Sequence, residues 1–400
     1  MLKNFKLIKV LYISLDGIMQ PLGHSQVLKY IEKLSSNYQM NLITFEKSDD
    51  YKNIEALTLV KNKCKEKNIY WYQLKYRSGW MGLGQLLNVM SIIFVPAYVL
   101  ASKNISLVHI RSYMPGIGMP LLMRIFNFKL IFDIRGFWAD EKRDRLNWNH
   151  KSYKYRFFKA LEKYLMQNAD FIVALTKSSK AIISDSFSRS KSLIEVIPTC
   201  VDSEEFYEID RTITANEMTI GYLGAVDTAY DFKKFCYLIS QIQDNYQGTI
   251  NLKVFTNKEE QYILNILSDR LAKELNLDIR FVPRHQLAAE ISTFDFLGFC
   301  IKENYSIEAS MPTKIAEALA CGTPIVCNGF NADIKELILI NEIGLIYNFE
   351  ESFKHQNLKE LINLISTRDI SKRCINVAKQ HFSLEAGSLK YHQIYSNLLK

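Results

Sequence analysis

Strand-like and helix-like stretches alternate along this 400-residue chain, and that alternation restricts its fold more than any single motif. Short apolar runs at 7–14, 40–45, 69–76, 106–110, 129–133, 171–175 and 194–198 read as buried strands. Between them lie stretches with helical spacing, at about 25–34, 53–67, 116–126, 151–168 and 177–187. Strand, helix and strand in repetition imply a parallel sheet with helices on both faces. After a polar, unpatterned segment at 199–216 that suits a hinge, the pattern restarts. Its strands fall near 218–224, 250–255, 278–282, 295–300, 324–328 and 344–347, and helical stretches at about 356–366, 370–381 and 385–399 close the chain. The expected fold class is α/β, with two Rossmann-like, doubly wound parallel-sheet domains. The expected boundaries are 1–200 and 201–383, followed by a C-terminal helix at 384–400.

Charge is unevenly spread. Residues 1–200 carry 30 Lys and Arg against 15 Asp and Glu, a net +15. Residues 201–400 carry 20 against 27, a net −7, and the whole chain is +8. The first half should therefore attract anions, such as an acidic membrane surface, a phosphorylated acceptor or nucleic acid. Lys142 to Lys163 holds eight Lys or Arg interleaved with Trp148, Tyr153, Tyr155, Phe157, Phe158 and Tyr164. That mixture suits anionic headgroups, though a solvated helix face has the same composition. The seven cysteines form no C-x-x-C pair and sit largely in apolar runs, as buried thiols of a reducing cytoplasm do. The N-terminus lacks a signal-peptide layout. From Ser78 to Ser102 no residue is charged, and on length alone this stretch could span a bilayer. Gly82, Gly84, Gln85, Asn88 and Pro96, and its place between two strands, instead indicate a crossover helix, buried or lying on a membrane surface.

Three stretches carry candidate chemistry. Glu308 to Asn328 follows an apolar strand and opens a helix at Met311-Pro312-Thr313, with proline where its missing N–H costs least. Free N–H groups there would hold phosphate, and Glu317, one turn in, would reach a sugar hydroxyl. The loop Asp16 to His24 has Gly17 and Gly23, which would let backbone approach a ligand, and His24 at a helix start. Asp133-Ile-Arg135-Gly-Phe-Trp138 ends a central strand, where Arg135 would clamp a phosphate and Asp133 orient it. Arg111, after the preceding strand, is a similar but weaker case. The strings Gly82-Leu-Gly84 and Gly116-Ile-Gly118 lack the third glycine of a dinucleotide fingerprint. No Walker string, H-E-x-x-H or D-x-D is present, so a diphosphate here would be held by helix dipoles and cations.

Together these residues resemble the GT-B glycosyltransferases of family 4, which are retaining enzymes using nucleotide-sugar donors. The resemblance covers nearly the whole chain. It rests on Asp16-Gly with Leu22-Gly-His-Ser-Gln26, Asp133 to Trp138, Ala169 to Thr176, Val196 to Asp202, Ile220 to Gly224, and Ser310 to Glu317 with Ala320 to Val326. The resemblance implies two domains facing across a cleft, with the tail from Phe382 to Leu399 crossing back to the first. It gives Glu317 the donor ribose, sets Pro312, Thr313 and Lys314 under the diphosphate, and brings Gly23 near the phosphates from the other domain. Three departures stand out: Ala309 occupies the place of the family's first glutamate, with Glu308 one residue early; the arginine after Gly224 is missing, which leaves Lys233 or Lys234 to supply its charge; and Arg135 stands where many relatives have a histidine.

The resemblance further implies front-face departure of the diphosphate, whose oxygen deprotonates the acceptor hydroxyl. Arg135, Asp133 and Lys314 are then the catalytic candidates. Gly23, Lys233, Pro312, Thr313, Lys314 and Glu317 form the donor set, and Asp16, His24 and Arg111 the acceptor side. No metal or other cofactor is expected. The expected partners are a UDP- or GDP-sugar, a glycan or lipid-linked acceptor and an anionic membrane surface, without nucleic acid. The expected location is cytoplasmic, peripheral on the inner face of the cell membrane, in surface polysaccharide synthesis. A GT-B-shaped epimerase or a non-catalytic sugar-nucleotide binding subunit is the rival reading.

Overall fold

A computed structural model describes residues 7–78, 82–209, 216–349, 351 and 353–400. The chain forms two compact units, one from residues 1–198 with 384–400 and one from 199–383. Residues 210–215 of the expected hinge lie outside the described residues.

The first unit is built on seven strands, β1 (Lys9–Ser14), β2 (Gln39–Glu46), β3 (Tyr70–Lys75), β4 (Leu107–Arg111), β5 (Lys129–Asp133), β6 (Phe171–Ala174) and β7 (Ile194–Val196). They run parallel in the order β3-β2-β1-β4-β5-β6-β7. Val10 pairs with Met40 on one side and with Leu107 on the other, so β1 and β4 flank the point where the winding reverses. Val10, Ile13, Leu107, Ile110, Ile131 and Phe132 are fully buried, as expected of strands covered on both faces. The C-terminal helix, Leu384–Leu398, packs on the helix Lys29–Leu34 and buries Tyr391 and Tyr395.

The second unit repeats the plan with six strands, β8 (Glu217–Leu223), β9 (Thr249–Phe255), β10 (Asn276–Arg280), β11 (Phe296–Phe299), β12 (Ile325–Cys327) and β13 (Gly344–Ile346). All are parallel, in the order β10-β9-β8-β11-β12-β13, with the reversal between β8 and β11. In this fold class ligands bind at the carboxyl edge beside that reversal.

The uncharged stretch forms the helix Leu83–Lys103, long and apolar enough by length and composition to cross a membrane. It connects β3 to β4 and packs on β1 and on the helix Met119–Ile125, burying Asn88, Ile92, Pro96 and Val99. Leu83, Leu87, Met90, Phe94 and Tyr98 remain exposed, spaced three or four residues apart along one face. The aromatic-basic stretch forms the helix Tyr153–Asn168, capped by the Ser152 hydroxyl. Part of its charge is neutralised internally: Lys159 bridges Asp140 and Glu162, both buried.

Candidate active site

At the carboxyl edge of the second sheet a cavity of about 410 Å³ opens beside the β8–β11 reversal. Its walls come from the turn after β8 (Gly224, Asp227), the loop after β9 (Thr256, Lys258), the segment after β10 (Val282, Leu287) and the first turn of the helix Thr313–Ala320. Gly224 has φ +90°, a conformation that glycine takes without strain. The entry to the helix is pinned from two directions. Thr199 donates its hydroxyl to the Met311 carbonyl at 2.8 Å, and Asn331 donates to the Ser310 carbonyl at 2.9 Å. Pro312 is the N-cap, so the helix begins at Thr313.

Thr313, Lys314 and Glu317 all line this cavity. The Glu317 carboxylate accepts a hydrogen bond from Arg284 Nη1 at 3.0 Å. Arg284 in turn donates through Nε to Glu205 at 3.1 Å and lies 4.8 Å over the Phe206 ring. Lys258 pairs with Asp227 at 2.8 Å. Arg284, Lys258, Asp227 and Glu205 were not among the sequence candidates. Arg284 carried a usable signal, since it follows a strand by four residues in the segment where ligands bind.

Lys314, expected under the diphosphate, lines the cavity with its ammonium turned towards the Gly224 turn. Its Nζ donates to the Leu223 carbonyl beneath the Gly224 turn and stands 3.8 Å from the centre of the Tyr230 ring, with Tyr222 and Phe299 about it. Burial pushes its pKa down to about 7, against the opposing pull of Glu317. The lysine braces the turn from below. Lys233, expected to replace the missing arginine, does not line the cavity. The helix Phe232–Asn245 buries Phe232, Phe235 and Cys236, which turns Lys233 to solvent. Lys258 and Lys314 are the lysines at the cavity wall. Ala309 is fully buried, and Glu308 does not line the cavity.

The first unit gathers a different set at its own reversal. Arg111 donates through Nε to Asp16 at 3.2 Å and stands 3.6 Å from Asp133. Arg135 lies 3.5 Å from the other Asp133 oxygen, and Tyr391 of the C-terminal helix donates to Asp133 at 2.9 Å. Burial raises the Asp133 pKa, but Arg135, His109 and Arg111 outweigh it and leave the group at about 2. Burial lowers the His109 pKa, and its Nδ1 lies 2.7 Å from the Tyr395 hydroxyl. Arg135 has φ +51°, a left-handed conformation costing a bulky residue about 1–2 kcal/mol. Its Nη2 is buried and has no hydrogen-bond partner. Asp16, Arg111, Asp133 and Arg135 are therefore brought together, and His109 and Tyr391 join them unforeseen.

Gly17 and Gly23 are fixed by packing within the loop. A Cβ on Gly23 would overlap the Gly17 carbonyl, and one on Gly17 would meet the Glu46 carboxylate. The buried Glu46 accepts from the Ile18 and Met19 N–H groups at 3.0 and 3.1 Å and holds the loop in place. The glycines are required by the loop's approach to itself, and His24 lies half-buried in the helical segment that follows.

Residues 32–205 match the family model Glycosyltransferase Family 4. An uncharacterized glycosyltransferase of Haemophilus influenzae is 28% identical over 229 residues, 54% of this chain. That match spans 59% of the relative's own length. Among solved structures, a sucrose-phosphate synthase from Thermosynechococcus elongatus superposes with a TM-score of 0.71 at 15% identity, covering 98% of this chain and 99% of that one. HepE from Anabaena, solved in complex with UDP, gives 0.69 at 14% identity over 98% and 100%. WaaG, a glycosyltransferase involved in lipopolysaccharide biosynthesis, gives 0.65 at 11% identity over 95% and 98%. At these identities the structural matches establish the fold alone.

Proposed function

We propose that this chain is a GT-B glycosyltransferase of family 4 and that it moves a sugar from a nucleoside diphosphate donor to a glycan or lipid-linked acceptor. The observation that carries the reading is the cavity at the second sheet's reversal, which combines a fixed carboxylate, a helix start and a lysine. Glu317 takes the ribose hydroxyls. The first turn of the helix Thr313–Ala320 and Lys258 face the diphosphate, so that negative charge developing on the leaving group meets oriented N–H groups and a cation. Gly224 lets the backbone come close, with Lys314 as its brace. The sequence has no D-x-D to anchor a metal on the diphosphate, and the reading uses none. Transfer proceeds with retention, the departing phosphate oxygen taking the proton of the acceptor hydroxyl. No atom of the chain then needs to act as nucleophile. The Asp16, Arg111, Asp133 and Arg135 group of the first unit orients the acceptor.

The acceptor belongs at the cytoplasmic face of a bacterial membrane, in surface polysaccharide synthesis. Two features of the first unit support that placement: the exposed apolar face of the helix Leu83–Lys103, and the net +15 of residues 1–200. Leu121 and Ile125 on the packed neighbouring helix are also exposed. Apolar side chains set among cations fit the interface of an anionic bilayer, where rings and methyls sit below the headgroups.

Incubation with radiolabelled UDP- and GDP-sugars tests the activity. Slow donor hydrolysis that disappears in Glu317→Ala supports the proposal. Interconversion of the sugar would identify an epimerase, and binding without turnover a sugar-nucleotide subunit.

A further inference from the structure

The ribose carboxylate assigned above is held in place by another residue. Glu317 Oε1 is 3.0 Å from Arg284 Nη1, and the opposite edge of the same guanidinium engages Glu205 Oε2 at 3.1 Å. The guanidinium also lies 4.8 Å over Phe206, which is 1% exposed. A planar fork can satisfy two carboxylates on different edges while stacking on a ring, and an ammonium cannot. The clamp has a definite origin in the chain. Glu205 and Phe206 lie just beyond Thr199, where the chain enters the second unit. There Val201 donates its N–H to the Phe382 carbonyl at 2.8 Å and bridges Ser383, so the entering and leaving segments are tied together. Phe206 accepts its own backbone fixing from Asp202, whose carbonyl takes the Phe206 N–H at 2.9 Å.

We propose that Arg284 is a positioning residue for donor recognition. Clamped by Glu205 and Phe206, it fixes the Glu317 carboxylate through Oε1 so that Oε2 meets the ribose hydroxyls of the nucleoside diphosphate. Arg284 acts through Glu317 and does not itself bind the nucleotide. This rests on the nucleotide reading of the cavity, and it adds that ribose recognition is anchored at the point where the chain crosses between units.

The test compares UDP with 2′,3′-dideoxy-UDP, and GDP with its dideoxy analogue, by calorimetric titration of the full chain. Wild-type protein should prefer the ribonucleotide by about 100-fold, the size of the charge-assisted hydrogen bonds to two hydroxyls. Arg284→Met should lower ribonucleotide affinity to that of the dideoxy analogue and leave the analogue's own affinity unchanged. Arg284→Lys should not restore the preference, and Glu205→Gln should reduce it partially. Thermal melting checks that each variant is folded. An Arg284→Met variant that keeps the wild-type preference would overturn the proposal. Equal weakening of both nucleotides would also overturn it, since that is the mark of a direct contact or of general damage. So would a Glu205→Gln variant indistinguishable from wild type. Wild-type protein that binds both nucleotides equally, or neither, would instead remove the ribose role of Glu317 on which the proposal stands.

Discussion

Both sheets wind in the same order, yet the residues gathered at their two reversals are organised in opposite ways. In the first unit the edge is filled by its own ions: Asp133, fully buried, receives Arg111, Arg135 and Tyr391. In the second unit the edge opens into a cavity, and the charged groups stand around it. Net charge suggested the reverse. The half with +15 spends two guanidiniums on its own carboxylates, and the half with −7 carries at its edge the helix start and Lys258, itself paired with Asp227. Where an anion binds depends on oriented N–H groups and unburied cations at one edge, and a sum over two hundred residues does not locate it.

The comparison can be broken most sharply at Glu317. Glu317→Ala should weaken nucleoside diphosphate binding about 100-fold, the loss of charge-assisted contacts at one carboxylate, with the melting curve little changed. Asp133→Asn should do the opposite. It leaves Arg135 without its anion and Arg111 with Asp16 alone, and should cost about 2 kcal/mol of stability, with nucleotide affinity unchanged. The same variant carries a pH signature. Because the Asp133 pKa is lowered to about 2, its contribution is full above the ordinary carboxylate range and is lost as pH falls towards 2. The wild-type acid limb should therefore flatten in Asp133→Asn, as chemical denaturation at several pH values would record.

Lys314 sharpens the contrast from the second unit. With its pKa lowered to about 7, the unfolded chain binds the extra proton between pH 7 and the ordinary lysine value, so stability rises with pH across that window. Relative to Lys314→Met, the wild type should gain about 2 kcal/mol between pH 7 and 9. The smallest effect belongs to the apolar helix of the first unit. Phe94→Asp should weaken binding to vesicles containing anionic lipid by about fivefold, from the loss of one half-exposed ring, and leave nucleotide affinity alone.

The strands were legible because parallel strands buried on both faces are continuous apolar runs. The expected 171–175 and 194–198 appear as Phe171–Ala174 and Ile194–Val196. The helices Glu260–Leu264 and Asp269–Glu274 were expected only as unbounded helical segments between strands, being short, polar and without a full apolar stripe. In the site, Thr313 and Glu317 could be read because one strand–helix turn supplies both. Arg284 opens the helix Arg284–Ile291, Lys258 lies in the loop after β9 and Glu205 in the segment entering the second unit, three places that only the folded chain brings together. Lys233 was misplaced because counting forward from a missing arginine ignores which face of the next helix is buried. Lys159 has one partner near in sequence, Glu162, and a second, Asp140, that lies 19 residues earlier on another helix.

The division of labour between the two edges is tested most directly by amide hydrogen exchange with and without UDP or GDP. Added nucleotide should protect the segments at 223–227, 256–258, 282–287 and 313–317 and leave 14–17, 111–113 and 133–136 unchanged. Protection confined to the first unit's edge, with none around Glu317, would contradict the assignment of the second unit as the donor half.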